Sequence, residues 1–313
     1  MENPSEFDRD VDDSMRLFQR ANIGSAEPLP CIRPARVLAV MDGSDQDELC
    51  INTARELNET YNTETFFLDA RDSPQQRQVD LGAAAAGKIS GGRGILRPDG
   101  AAFDAILASL KTHHVDLVIV PCPFGRDFKQ VGQDSVGTVM DVLLARCAVP
   151  ILVLRREDQT FSIARRRVSV MVSAESDVGM RAASWALGLA ADHAELSLNL
   201  VVEKEHFENV RSIVEAMHPD ESLSAAQLGD VMVQTHQVLH AAISKSASER
   251  SLKYSLIPQA GELAPPNPLS DPKVQLLVMP LEVDDRFTQG FVQDRLRRSP
   301  HPVLVVPGHV PSS

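Results

Sequence analysis

The chain has 313 residues, against roughly 150 for an ordinary domain, which predicts two ordinary domains or one unusually large one, and its hydrophobic (43%) and charged (24%) fractions exclude wholesale disorder, collagen and coiled coil. Its 31 Lys plus Arg against 43 Asp plus Glu give a net charge of −12, which repels phosphate backbones. Aromatics at 4% leave few stacking platforms for bases, so no nucleic-acid partner is expected.

Residues 1–34 read as an acidic, partly disordered arm ending at Pro28, Pro30 and Pro34. It carries no hydrophobic signal segment, and a cytoplasmic chain is expected. A first domain spans 35–156. Arg36-Val37-Leu38-Ala39-Val40-Met41 opens it as a strand, and Cys50, Ala54, Leu57 and Tyr61 form the apolar stripe of a helix. The alanine run after Gly82 closes a helix at Gly87, and Ala101–Leu110 is a further helix. Val115–Pro121 is a buried strand; Val136, Val139, Leu143 and Cys147 mark another helix; Pro150–Leu154 closes the half.

Arg155, Arg156, Arg165, Arg166 and Arg167 bracket a joint read as a solvated linker. A second domain spans 165–308 and repeats the order. A strand opens at Arg167, and Val178, Ala182, Trp185 and Leu189 make a helix stripe. Leu228, Met232, Thr235, Leu239 and Ala242 predict one long helix, and Gln259–Pro272 a loop. Val274–Pro280 and Pro302–Val306 echo the two late strands of the first half. The strand signals are short, β-branched and apolar on both faces, as in parallel strands covered by helices. The predicted fold is therefore α/β: two tandem, doubly wound, Rossmann-like domains with mainly parallel sheets, the products of a duplication.

This pattern resembles the universal stress protein family, as a tandem two-domain member, over about 36–156 and 165–308. In nucleotide-binding members the first strand ends in Val-Asp-Gly-Ser and a Gly-x2-Gly-x9-Gly-Ser/Thr loop follows the fourth. Met41, Asp42, Gly43 and Ser44 match the first element. Cys122-x2-Gly125-x11-Gly137-Thr138-Val139 matches the second, with Cys122 in place of a glycine and a longer spacer that holds Gly132. The resemblance implies that Asp42 meets the adenine or ribose end of ATP, with Mg²⁺, or of another adenine nucleotide, while Gly125, Gly137 and Thr138 cradle its phosphates. In the second half Ser173-Ala174-Glu175 replaces Asp42-Gly43-Ser44, and Glu282, Asp284 and Asp285 stand where phosphates would lie, so one nucleotide per chain is expected. The resemblance also implies antiparallel pairing of Ile151–Leu154 with Val303–Val306 as an internal pseudo-dimer, further pairing as a homodimer, an unidentified protein partner, and regulation rather than fast turnover, with slow ATP hydrolysis at most. The rival reading is a nucleotide-free interaction scaffold.

Other motifs compete less well. Gly82–Lys88 matches seven positions of a Walker A loop, but the eighth is Ile89, which offers no hydroxyl to Mg²⁺. His236 and His240 have zinc spacing on the predicted long helix but lack a third ligand, and are read as helix-surface residues. Ser135 and Ser173 sit in no Gly-x-Ser-x-Gly elbow. The four cysteines form no Cys-x-x-Cys pair and are read as small hydrophobes, Cys122 included. The strongest apolar run, Val115–Phe124, is broken by Asp116, Pro121 and Pro123, so no membrane partner is expected.

Overall fold

The structure is a computed structural model, and it describes residues 26–73, 78–126, 136–155, 160–173, 175–201, 204–217, 225–259, 273–282, 286–299 and 301–308. Gly132, Ser135, Arg156, Asp284, Asp285, most of the N-terminal arm and nearly all of the predicted 259–272 loop lie outside these residues.

The first half runs β1 (Arg36–Met41), α1 (Asp47–Tyr61), β2 (Glu64–Asp69), α2 (Leu81–Ala86), β3 (Arg93–Ile95), α3 (Ala102–Thr112), β4 (Leu117–Pro121), α4 (Thr138–Arg146) and β5 (Ile151–Leu154). After α5 (Phe161–Ala164) the second half runs β6 (Arg167–Val172), α6 (Asp177–Leu189), β7 (Glu195–Val201), α7 (Lys204–Met217), α8 (Ala225–Thr235), α9 (Gln237–Glu249), β8 (Lys253–Gln259), β9 (Leu276–Leu281), α10 (Arg286–Arg298) and β10 (Val303–Pro307). The ten strands form one sheet in the order β3-β2-β1-β4-β5-β10-β9-β6-β7-β8. Neighbours are parallel except at the centre, where β5 and β10 run antiparallel with Leu152 opposite Leu304, Val153 opposite Val303 and Ile151 opposite Val305. The order is thus the same read inward from either end, a pseudo-twofold arrangement centred on the Leu152–Leu304 pair.

The doubly apolar strands follow from burial on both faces. Val37, Ala39 and Met41 of β1 enter one core with α1, α2, α5, α6, α8 and α9, while Leu38 and Val40 enter the other with α3, α4 and α10. Both cores continue from the first half into the second without interruption. In α1 the predicted stripe is the buried face: Cys50, Ala54 and Leu57 are inaccessible, and Asn62 ends the helix in the left-handed region at φ 56°. Asp116 fixes where β1 starts, its carboxylate accepting from the Ala35 and Arg36 amides at 2.9 and 3.0 Å.

Several sequence expectations need correction. Residues 26–34 are a strap on the second half rather than a loose end of the arm: Lys245 Nζ donates to the Ala26 carbonyl, the Leu29 amide to Ser246 Oγ at 2.7 Å, and the Ile32 amide to the Ser184 carbonyl at 3.1 Å. The strap lies so close to α6 that a Cβ on Gly188 would overlap the Ile32 carbonyl. With sheet below and strap and α9 above, residues 182–189 of α6 are buried all round, as is Ala190 after it, and the amphipathic stripe understates that burial. The predicted long helix is two helices, broken at His236, whose Nδ1 lies 2.8 Å from the Met232 carbonyl. His236 is therefore buried rather than on a helix surface, and His240 is half-buried with Nδ1 2.9 Å from the Tyr254 hydroxyl. Nor are the joint arginines a solvated set. Arg155 is buried and donates to the Leu296 carbonyl, while Arg165 donates to the Leu189 carbonyl and to the Tyr61 hydroxyl. These side chains bind the halves together.

Candidate functional site

The strand order reverses between β1 and β4, because β1 connects outward to β2 whereas β4 leads on to β5. In an open parallel sheet such a switch point leaves a crevice beyond the carboxyl ends of the strands, where ligands bind. The Asp42 turn fills one side of this crevice and the Gly125 loop the other. Asp42 is buried and uses both carboxylate oxygens: Oδ1 accepts from the Ser44 amide at 2.9 Å and Oδ2 from the Gly125 amide at 2.6 Å. It therefore pins the loop after β4 to the end of β1.

Asp47, in the first turn of α1, reaches back in turn. Its Oδ1 and Oδ2 each accept at 3.0 Å, from the amides of Asp42 and Gly43. Two carboxyls thus share a poorly solvated turn. Burial raises the Asp42 carboxyl, and burial followed by the Asp42 charge pushes Asp47 up to about 7.

Above them opens a cavity of about 730 Å³, within the range that holds small-molecule ligands. Its floor and walls include Asp42, Gly43, Pro123, Phe124 and Gly125, with Gly137, Thr138 and Val139 opposite. Gly137 occupies φ 84°, ψ 155° and immediately precedes α4, so the chain enters the helix in a conformation that L residues rarely adopt. A Cβ there would meet only the Phe124 amide nitrogen, at 3.9 Å. The requirement for glycine is therefore conformational, with no crowding behind it. The result is the amino end of α4 facing an open cavity, with Thr138 exposed beside it.

Arginines line the same cavity. Arg71, at the end of β2, is held by Asp69 at 2.6 Å and donates to the Val79 carbonyl; Arg126 and Arg297 complete the set. Asp72 and Asp141 contribute carboxylates, and Asp72 is paired with Arg97 at 2.8 Å. The arrangement suits a ligand with an anionic end toward α4 and the arginines.

Of the sequence-derived positions, Asp42, Gly43, Gly125, Gly137, Thr138 and Val139 line one cavity. Met41 and Cys122 are buried in the two cores, and burial pushes the Cys122 thiol up to about 11, as befits a packing residue. Ser44 serves the turn through its amide and does not line the cavity. Sequence reasoning missed Asp47, Arg71, Arg126 and Arg297. Asp47 had a local signal, an acidic residue in the first helical turn after the strand-end Asp; Arg71 and Arg297 reach the site only through tertiary contacts.

The competing motifs fall elsewhere. Lys88 pairs with Glu48 at 2.6 Å on the surface and follows a six-residue helix, so Gly82–Lys88 is no phosphate loop. Among the described residues no group of three or more His, Cys, Asp or Glu could hold a metal ion, and no helix is long and apolar enough to cross a membrane. At the corresponding crevice of the second half Glu175 turns away, its Oε1 accepting from the Leu239 amide at 2.9 Å, and Ser173 is exposed.

No family model matches the sequence, and no curated protein matches it. The fold is similar to that of a universal stress protein from Archaeoglobus fulgidus DSM 4304, with a TM-score of 0.57 and 13% identity, covering 88% of this chain and 99% of that one. It is similar also to a functionally unknown protein from Pseudomonas aeruginosa PAO1, with a TM-score of 0.52 and 12% identity, covering 88% of this chain and 93% of that one. Matches of that extent take in both halves, and at these identities they establish a universal stress protein-like, mostly parallel α/β fold.

Proposed function

We propose that this chain is a stress-related regulatory protein of the universal stress type that binds one adenine nucleotide, ATP with Mg²⁺, in the first-half cavity. The observation that carries the reading is the joining in one 730 Å³ cavity of the strand-end Asp42 turn, the amino end of α4 and three arginines. Phosphates gain from the unsatisfied amides and positive dipole end of α4 and from the guanidinium groups, while the apolar faces of Pro123 and Phe124 offer cover to a base or sugar. Fold likeness to a universal stress protein supports the same assignment by analogy. Asp42 supports it as an organiser, since it positions the Gly125 loop.

The scaffold reading draws on a specific feature: the Gly125 amide is already taken by Asp42, and Asp141 sets a carboxylate beside the anion end. Calorimetric titration of the purified chain with ATP and Mg²⁺ decides between them. Saturable binding of one ATP per chain, lost in Gly137→Asp and weakened in Thr138→Ala, is expected. Absence of binding to ATP, ADP and AMP would leave the scaffold as the better account, and two ATP per chain would overturn the single-site assignment.

A further inference from the structure

The first-half cavity is not built from the first half alone. Among the described residues that line it, Arg297 is the one from the second half, carried on α10. Two contacts on the same helix set its position. Gln293, one turn earlier and on the same face, donates from Nε2 to Asp141 Oδ1 in the first turn of α4 at 3.2 Å. The Leu296 carbonyl, one residue before Arg297, accepts from the buried Arg155 guanidinium of the first half. The helix that carries Arg297 is thus tied to the first half at neighbouring positions, and the arginine side chain is exposed toward the cavity.

The pseudo-twofold relation makes this contribution one-sided. The spacing that separates Leu152 from Leu304, the strand partners at its centre, also separates Asp141 from Gln293. The Gln293–Asp141 hydrogen bond therefore joins equivalent positions and sits at the pseudo-axis, as a self-paired contact does in a twofold interface. At the same spacing the counterpart of Arg297 is Ala145, which has no charge to offer the second-half crevice. At this pair of equivalent positions the cation comes from the second half alone.

From this the geometry points to Arg297 as the phosphate contact that makes the first-half site a joint product of both halves: a nucleoside polyphosphate is gripped across the pseudo-axis, whereas a nucleoside without phosphates engages the first half only. The inference rests on the nucleotide reading above and adds a residue and a selectivity to it. Occupancy by a polyphosphate then tightens the α4–α10 contact, so the two halves respond to the phosphate end of the ligand and not to its base.

The test is a titration of the full chain with ATP and, separately, adenosine, each with Mg²⁺, for the wild type, Arg297→Ala, Arg297→Lys and Ala145→Arg. Arg297→Ala is expected to weaken ATP about tenfold and to leave adenosine within about twofold, as for loss of one charge-assisted hydrogen bond. Arg297→Lys recovers part of the loss and Ala145→Arg changes neither ligand. Unchanged thermal unfolding of ligand-free Arg297→Ala shows that the helix contact survives. ATP binding by Arg297→Ala within about twofold of wild type, or an equal loss for adenosine, overturns this inference while leaving the nucleotide site standing. A wild type that binds neither ligand overturns both.

Discussion

The two crevices, at the β1–β4 and β6–β9 switch points, share strand order yet differ at the strand-end residues that the structure describes. At the spacing that separates Arg36 from Arg167, Asp42 and Asp47 correspond to Ser173 and Val178. Where Asp42 pins the loop after β4, Glu175 of the second half points to α9 instead. The chain that leaves β5 is held by Gln46, whose Nε2 donates to the Arg155 carbonyl, and the chain that leaves β10 by Arg181, donating to the Pro307 carbonyl. Strands buried on both faces preserve the frame through residue type alone. The first-half cavity depends on a few polar groups and glycines at strand ends, which the frame does not require.

The largest effect should come from moving a first-half feature into the second. Gly188 corresponds to Leu57 at the same spacing, and Gly188→Leu should cost at least about 3 kcal/mol in urea unfolding or expel the strap, exposing residues 26–34 to protease. Unchanged stability with a protected strap would show that the close approach is not required. Arg155→Ala is expected to lose about 2–4 kcal/mol and to loosen α10, because it empties a buried volume and strips the Leu296 carbonyl of its donor. Retained stability would separate the halves energetically in spite of their shared sheet.

A smaller, pH-dependent difference belongs to Asp47. With its carboxyl at about 7 in the folded protein against an ordinary 3.8, the native state binds a proton more tightly than the unfolded chain, so this group's stabilisation is full below the lower value and is lost as pH rises through the upper. Asp47→Asn should therefore be on the order of 1 kcal/mol more stable than wild type at pH 8 and close to it at pH 4, as read from unfolding curves at both pH values. Parallel pH profiles for the two proteins would refute the carboxyl pair. Least of all, Lys88→Ala should change stability by less than about 0.5 kcal/mol and leave ATP affinity unaltered, since the Lys88–Glu48 pair is solvent-exposed. A large loss of affinity would revive the Walker A reading of Gly82–Lys88.

What could be read from the sequence was whatever depends on a residue's own neighbours. Val37–Val40 and Leu276–Val278 announce buried strands because both faces are apolar, and Cys50, Ala54 and Leu57 announce a helix because their spacing matches its turn. Gly125 and Gly137 were found through a resemblance and lie together as positive-φ turns at 69° and 84°. Arg155 and Arg297 were opaque for the opposite reason: an arginine next to a joint looks solvated, and only the pairing of β5 with β10 brings α10 over the first half. His236 misled because helical spacing does not record a one-residue break. The strap was missed because prolines and acidic neighbours mark residues 26–34 as loose, whereas their packing depends on a glycine far along the chain.

The antiparallel union of β5 with β10 also decides which strands form the edges of the sheet. Joining the two closing strands internally removes them as docking edges and leaves β3 and β8 as the outermost strands. β3 is only three residues long, and β8 carries Pro258, which has no amide to donate to an incoming strand. Among the described residues both outer edges are therefore poor templates for an added strand, and the pairing capacity of the two closing strands is taken up in joining the two halves.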